Sequence, residues 1–241
     1  MEHVVRLIWV AWLVAFCASP DSAKAQETFT NLNFESANLP AIPAGQTGSS
    51  VAITAALPGW SASIGGVQDT QVLQNNYDLG TPSVDIFGPN WTSVDPGIIQ
   101  GNYTVFLQAS IQPYDVSLWQ NGTIPANAET LQFSAWEWLP ALTSFNVSFD
   151  GNTLSPVVLS SGQTATGQPY TTYGVNIAAY ENETGKLEFT AVANNNGPSW
   201  TELDHISFST NVVASPEPSM VALTAIGGLL FGARKWFARR S

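Results

Sequence analysis

Apolar and polar residues alternate along several short segments of this chain. The alternation is clearest in Thr130–Ala135, Ser144–Phe149 and Leu187–Ala191. A period of two puts successive side chains on opposite faces of an extended backbone, which predicts half-buried antiparallel strands. Shorter segments with the same character are further candidate strands: Phe29–Phe34, Trp60–Ile64, Thr70–Leu73, Ser83–Phe87, Tyr103–Ala109, Val116–Trp119, Tyr173–Ile177 and His205–Ser209.

The segments between these candidate strands are rich in Pro, Gly, Asn and Asp. Asp150-Gly151-Asn152 predicts a tight hairpin turn that joins Phe149 to Leu154. Between the two ends of the chain we find no segment with the pattern of a long amphipathic helix. Roughly ten short strands at this spacing predict an all-β fold, a jelly-roll-like antiparallel β-sandwich.

Paired segments in this region are similar to strands of galactose-binding-like and carbohydrate-binding-module jelly rolls. They are Asn121–Pro125 with Leu131–Ala135, Tyr173–Ile177 with Gly185–Ala191, and Asn31–Glu35, Pro58–Trp60 and Leu203–Phe208 at the first and last strands. The resemblance implies the same sandwich fold and a carbohydrate-binding-like domain.

The C-terminal segment combines an extended motif, an apolar run and a basic end. Ser215–Ser219 contains two prolines, Met220–Ala233 is uncharged, and Arg234, Lys235, Arg239 and Arg240 follow. Fourteen residues at about 1.5 Å each give a helix of roughly 21 Å, short against a hydrocarbon core of about 30 Å. Such a helix can span a bilayer only with the help of its flanking aromatic and basic residues.

This segment resembles the PEP-CTERM sorting domain of Gram-negative bacteria that make extracellular polysaccharide. The resemblance rests on Pro216, Glu217 and Pro218, the glycines of the apolar run, and the basic end. It implies recognition by an exosortase, with removal of the tail as the protein reaches the surface. An ordinary membrane anchor that is kept is the alternative.

The N-terminal segment has the features of a signal peptide. Arg6 precedes an uncharged run, and Ala23 and Ala25 are the small residues that signal peptidase recognises, so cleavage is expected before Gln26. Removal of the signal peptide also removes Cys17, the one cysteine. The predicted organisation is a signal peptide at residues 1–25, a β-sandwich ectodomain at 26–212 and a sorting tail at 213–241. The protein is expected to be exported and to be anchored in the membrane, at least transiently, by its C-terminal helix.

The charge of the predicted mature region is strongly negative. Residues 26–215 hold fifteen acidic residues and a single basic one, Lys186, which gives a net charge of −14. Such a surface repels phosphate backbones, so nucleic acid is excluded as a partner. Neutral glycans, extracellular polysaccharide and divalent cations remain as partners.

The resemblance to carbohydrate-binding jelly rolls also implies a structural calcium ion. Many such modules clamp their terminal strands with Ca²⁺, using a carboxylate near the first strand and an Asp at the start of the last one. Glu35 and Asp204 match these positions, whereas His205 stands where a second acidic residue is common. Calcium needs six to eight oxygen ligands. The alternative is that Glu35 caps a turn and Asp204 is solvated.

Two tryptophans are the candidate ligand-binding residues. If Leu131, Phe133 and Ala135 point into the core, alternation puts Trp136 and Trp138 on the opposite face. Flat aromatic rings on a solvent-facing surface suit stacking on sugars, although loops that cover the pair would give them a structural role instead. The isolated aromatics Trp60, Trp91, Trp119 and Trp200 are expected in the core.

No enzyme signature is found, and no catalytic residue is predicted. The predicted mature region has one histidine, His205, and no cysteine, which excludes cysteine nucleophiles and multi-histidine metal centres. The predicted function is therefore a non-catalytic cell-surface or matrix protein associated with extracellular polysaccharide. A glycoside hydrolase-like enzyme that uses two carboxylates, and a structural protein without a specific ligand, are the alternatives.

Overall fold

A computed structural model describes residues 28–76, 80–91, 93, 97–110, 114–137, 145–193 and 198–213. The predicted signal peptide with Ala23 and Ala25, the motif Pro216, Glu217 and Pro218, and Trp138 all lie outside these residues. Within these ranges, no helix has the length and apolar character needed to cross a membrane.

The described residues form fourteen strands and two very short helical segments. The strands are β1 (Ser49–Ala52), β2 (Ser61–Ile64), β3 (Val67–Asp69), β4 (Gln71–Gln74), β5 (Ser83–Phe87), β6 (Thr104–Ala109), β7 (Val116–Thr123), β8 (Thr130–Glu137), β9 (Phe145–Phe149), β10 (Asn152–Leu154), β11 (Val157–Gln163), β12 (Pro169–Asn176), β13 (Thr184–Ala191) and β14 (Ser199–Ser209). The helical segments are α1 (Ile53–Ala56) and a 3₁₀ turn at Ala178–Tyr180.

The strands make two sheets that pack as a sandwich, which confirms the predicted fold class. One sheet has eight strands in the order β1-β4-β5-β6-β14-β8-β12-β11, and the other has six in the order β10-β9-β13-β7-β2-β3. Neighbouring strands are antiparallel with one exception among the described pairs, because β4 and β5 run parallel.

The period-two patterns correctly predict which side chains enter the core. Leu131, Phe133 and Ala135 of β8 are at most 2 % exposed, and the ring of Phe133 packs against Phe189 of β13 and Phe145 of β9 in the other sheet. The predicted hairpin is also confirmed: Asp150 and Gly151 have φ of 48° and 80° and connect β9 to β10, with Asn152 opposite Phe149. Two consecutive positive φ angles are the geometry that a tight hairpin requires.

The predicted first strand, Phe29–Phe34, is wrong. Only Thr28 makes an isolated bridge, to Thr123, and the residues that follow form a turn in which the Phe34 amide donates to the Asn31 carbonyl. Asn31 and Phe34 have φ of 51° and 59°, which interrupts an extended backbone. Among the described residues, the first strand is β1, which begins at Ser49.

The outer face of the eight-stranded sheet is covered over much of its area. Register places Asp85, Phe106, Glu202 and Trp136 in one row across β5, β6, β14 and β8 on that face. The segment at 97–100 crosses above this row, with the amide of Gly97 donating to Glu202. Every residue of β5 and of β6 is buried, so both faces of these two strands are covered.

Candidate functional site

A groove of about 830 Å³ opens at one end of the eight-stranded sheet, where β4 and β5 end and β6 begins. A cavity of this volume is within the usual range of ligand sites. The groove is lined by Leu39, Pro40, Ala41, Ile42, Gln46, Thr47, Gln74, Asn75, Pro89, Asn90, Trp91, Ser93 and Tyr103.

Two amide side chains at the end of β4 hold the two walls of the groove. Gln74 donates from Nε2 to the carbonyl of Pro40 at 3.2 Å, which ties down the segment before β1. Asn75 accepts from the Gly88 amide at 2.8 Å and donates to the Pro89 carbonyl at 3.3 Å, which ties down the loop after β5. Both side chains are buried, so they position the walls.

Two half-buried aromatic rings, Trp91 and Tyr103, lie along the groove. Trp91 follows a turn in which its amide donates to the Gly88 carbonyl, and its ring stacks on Phe87 with centroids 4.4 Å apart. Tyr103 packs over Gly88, where a β-carbon would lie 2.7 Å from the tyrosine ring. Glycine at position 88 therefore leaves the space that the Tyr103 ring occupies.

The described residues that line the groove include no Asp, Glu, Lys or Arg. Aromatic rings, amides and hydroxyls can stack on apolar ring faces and can both donate and accept hydrogen bonds. This combination suits a neutral ligand rich in hydroxyl groups, although the predicted domain as a whole is strongly acidic.

Beside the groove, the structure brings the two candidate metal ligands together. Glu35 and Asp204 line a small cavity of about 220 Å³ with Asn33, Gln100, Gly101 and His205. Glu35 lies in the turn that replaces the predicted first strand. Asp204 lies in the middle of β14, so the expectation that it begins the last strand is wrong. The long-range fold thus joins two positions that are 169 residues apart in sequence.

Both carboxylates already accept several hydrogen bonds. Oε1 of Glu35 accepts from the amides of Asn102 and Tyr103 at 2.7 and 3.2 Å, and Oε2 accepts from Nδ2 of Asn102 at 2.9 Å. Glu35 therefore fixes the turn that carries Tyr103 into the groove. This contact connects the acidic cluster to the groove wall.

The environment of Asp204 disfavours its charged form. Oδ2 accepts from the Gln100 amide at 3.0 Å and from Oγ1 of Thr104 at 2.8 Å, and Oδ1 accepts from the His205 amide at 2.6 Å. Burial nevertheless raises the pKa of Asp204 from 3.8 to about 7; the hydrogen bonds oppose this rise, and the nearby charge of Glu35 adds to it.

The residues around Glu35 and Asp204 fit a calcium ion in part. The charges of Glu35 and Asp204 repel each other, and a bound cation would relieve this repulsion. Asn33 and Gln100 add amide oxygens, but six to eight ligands would also require backbone carbonyls and water. In the part of the chain that the structure describes, no three His, Cys, Asp or Glu residues cluster as a metal site.

The candidate ligand-binding tryptophan Trp136 does not reach the groove. It stands half-buried on the outer face of the eight-stranded sheet, opposite Glu202, as the alternation of β8 predicted. Trp60 is in the core as expected, at 3 % exposure, whereas Trp91 and Trp119 line surface cavities, so that expectation is wrong for them. The missed signal for Trp91 was its position in a loop, directly after Gly88-Pro89-Asn90.

Three buried acidic residues bear on a two-carboxylate mechanism. Asp85, Glu202 and Asp204 are at most 1 % exposed, and none of them lines the groove. Glu202 accepts from the Gly97 amide and from Nε2 of Gln168, which cover it. Burial also raises the pKa of Asp85 well above 3.8. The described groove thus offers stacking and hydrogen bonding without an acidic pair.

Neither a protein-family model nor a curated protein matches the chain. Among solved structures, the carbohydrate-binding module TmCBM61 in complex with β-1,4-galactotriose is similar at 16 % identity and a TM-score of 0.39, over 77 % of this chain and 99 % of that one. Two adhesin domains of Lys-gingipain are also similar. The K1 domain, from Porphyromonas gingivalis W83, has 14 % identity and a TM-score of 0.36 over 69 % of this chain and 99 % of that one. The K2 domain has 14 % identity and a TM-score of 0.34 over 73 % and 96 %. At these low identities no residue role is transferred to this chain.

Proposed function

We propose that this chain is an exported, non-catalytic surface or matrix protein that binds a neutral polysaccharide in the groove. The observation that supports the proposal is the lining of the groove, which has two aromatic rings, several amides and hydroxyls, and no charged side chain among the described residues.

The physical reason is the chemistry of sugar rings. A pyranose presents an apolar face of C–H groups that packs on an aromatic ring, and its hydroxyls both donate and accept hydrogen bonds as amides do. A groove without fixed charges avoids the cost of desolvating unpaired ions when the sugar displaces water. Trp91 is the expected stacking platform, and Tyr103 forms the second contact.

Binding can be measured with the full-length chain in mild detergent, by calorimetry with β-1,4-galactotriose and by affinity electrophoresis on a panel of neutral polysaccharides. The triose is a practical first probe because it is the sugar in the TmCBM61 complex. Trp91→Ala is expected to weaken binding by about tenfold or more, the usual effect of removing a central aromatic contact.

Trp136→Ala is the matched control, because Trp136 is also half-buried but lies outside the groove. Its affinity should stay within about twofold of the original chain, since a residue without ligand contact contributes little to binding energy. Equal losses in the two variants, or no binding to any glycan, would contradict the groove as the site. If the protein instead released reducing ends from polysaccharides of the panel, the result would support the two-carboxylate enzyme.

The proposal includes export and sorting. Signal peptidase is expected to cleave before Gln26, and an exosortase to act near Pro216, Glu217 and Pro218. Mass spectrometry of the protein from the cell surface should find both ends trimmed. Replacing Pro216 and Pro218 by Ala should leave the tail attached. A cytosolic product with both ends intact would overturn this part of the proposal.

We also propose that Glu35 and Asp204 hold a structural calcium ion, which would relieve their mutual repulsion and brace the turn that carries Tyr103. At about 100 times its Kd, Ca²⁺ should raise the melting temperature of the chain by roughly 5 to 10 °C relative to EDTA. Asp204→Asn should lose this response, while Asp150→Asn, at an exposed hairpin position, should keep it. An equal calcium response in both variants would exclude the site.

A further inference from the structure

The six-stranded sheet has a polar outer face that includes a tryptophan. Register places Ser61, Trp119 and Glu188 in one row across β2, β7 and β13, and places Ser63, Ser117 and Thr190 in the next row. Between these rows lie Ala62, Leu118 and Phe189, which are fully buried and point into the core. The first two rows therefore face outward, away from the core of the sandwich.

This outer face forms a cavity of about 450 Å³ that is separate from the groove. It is lined by Ser63, Gly66, Gln68, Asp115, Ser117, Trp119, Lys186, Glu188 and Thr190, none of which lines the groove. Oγ of Ser117 and Oγ1 of Thr190 are hydrogen-bonded to each other at 2.8 Å. The cavity thus has a floor of hydroxyl groups beside one large aromatic ring.

A lysine ammonium group lies over that ring and is paired with a glutamate carboxylate. Nζ of Lys186 lies 5.7 Å from the centroid of Trp119 and 2.8 Å from Oε2 of Glu188. An ammonium group only donates hydrogen bonds and a carboxylate only accepts them, so the pair offers complementary partners to two neighbouring hydroxyls of a sugar. Charge-assisted bonds of this kind are stronger than neutral ones.

We propose that the outer face of the six-stranded sheet is a second glycan site, in which a neutral sugar packs against Trp119 and two adjacent hydroxyls bind Lys186 and Glu188. This inference rests on the proposed function of the groove and extends it. With Asp115 and Glu188 against Lys186, the cavity carries a net negative charge, which disfavours anionic polysaccharides.

The two proposed sites lie far enough apart for one molecule to bind two polysaccharide strands. The groove lies at the end of the eight-stranded sheet where β6 begins, whereas the second site lies on the other sheet, where β7 begins. The two sites are therefore on different sheets of the sandwich, and packed sheets lie about 10 Å apart. One molecule that fills both sites therefore joins two polysaccharide strands, or two distant segments of one strand.

The test uses the full-length chain at one copy per lipid nanodisc, so that clustering of chains does not imitate two sites. Calorimetry with β-1,4-galactotriose, or with the neutral oligosaccharide that the groove binds best, should give two sites per chain. The parent polysaccharide should gain viscosity when the protein is added. Trp119→Ala should reduce the stoichiometry to one and abolish the viscosity gain, while the remaining site keeps its affinity.

Glu188→Gln supplies a second variant that keeps the side-chain shape, in case Trp119→Ala lowers the melting temperature. It should weaken the second site by about tenfold, because one strong acceptor is lost. Trp136→Ala, outside both cavities, should keep both sites.

A stoichiometry of one in the original chain, or two unchanged sites in Trp119→Ala and Glu188→Gln, would overturn the second site and leave the groove proposal standing. No glycan binding by the original chain would overturn the proposed function itself, together with this inference. Binding of a cationic or anionic polysaccharide alone at Trp119 would also overturn the assignment of a neutral ligand.

Discussion

At the scale of single residues, the most unusual feature is a carboxyl group buried with one oxygen unsatisfied. Asp85 on β5 accepts a hydrogen bond from Oγ of Ser83 at 2.7 Å through Oδ2. Its Oδ1 has no hydrogen-bond partner among the described residues, and the side chain is fully buried. Burial raises the pKa of Asp85 because the charged form loses its hydration.

This predicts a pH dependence of stability that belongs to Asp85. A pKa raised on folding means that the folded state binds the proton more tightly, so the contribution to stability is full below 3.8 and is lost as the pH rises through the raised pKa. Asp85→Asn should remove this loss and stabilise the chain at pH 8 by roughly 1 to 3 kcal/mol, the range for an unsatisfied buried polar group.

Urea unfolding of the two proteins at pH 4 and pH 8 checks the prediction. The difference in unfolding free energy between Asp85→Asn and the original chain should be larger at pH 8. Asp150→Asn, at an exposed turn, controls for the general effect of removing a negative charge. A gain that is the same at both pH values would contradict ionisation as the cause.

At the scale of elements, a bulge in β14 decides which side chains enter the core. The register between β14 and β8 shifts between Asp204 and Ser207, and His205 there has a φ of 49°. Because of the extra residue, His205 stays exposed and Ile206 enters the core. Strict alternation after Asp204 would have put His205 inward. The exposure of His205 is thus a consequence of the bulge.

The left-handed backbone at position 205 is open to a direct test. A β-branched side chain is strongly disfavoured at positive φ, so His205→Val should lower the unfolding free energy by about 1 to 2 kcal/mol. His205→Gly and His205→Asn should be close to neutral, because both residues accept this conformation. Chemical denaturation of the three variants checks the order. Equal stability of the Val and Asn variants would contradict backbone strain.

At the scale of the whole molecule, the strong negative charge of the predicted mature region is not found in the described lining of the groove. Residues 26–215 carry a net charge of −14, while the groove has no charged lining residue among those described. Self-repulsion destabilises a compact acidic domain, and salt screens it. A neutral sugar bound by stacking and neutral hydrogen bonds does not sense that screening.

Salt should therefore change stability and leave groove affinity nearly constant. Raising NaCl from about 0.05 to 0.5 M should increase the melting temperature by a few degrees, because the Debye length falls below about 10 Å. Glycan affinity of the groove, measured in the Trp119→Ala background, should change less than about twofold. A steep loss of affinity with salt would show that charged side chains contact the sugar.

Local pattern alone was enough to predict the sandwich. Alternation in Leu131–Ala135 and Leu187–Ala191 identified the core-facing residues, because the side-chain period of a strand is fixed by its backbone. Asp150-Gly151 predicted its hairpin because few residues accept two positive φ angles in a row. The strong negative charge and the lack of cysteine in the predicted mature region are likewise properties of composition.

Only the tertiary structure decided where a ligand can bind. The walls of the groove depend on Gln74 reaching Pro40 and Asn75 reaching Pro89, and Tyr103 is placed through Glu35, 68 residues away. Trp91 and Trp119 had no spacing partner in the sequence, yet loop closure and strand register surround them with polar side chains. Alternation determines which face of a strand a residue occupies, whereas the neighbours on that face come from pairing and loop contacts between distant segments.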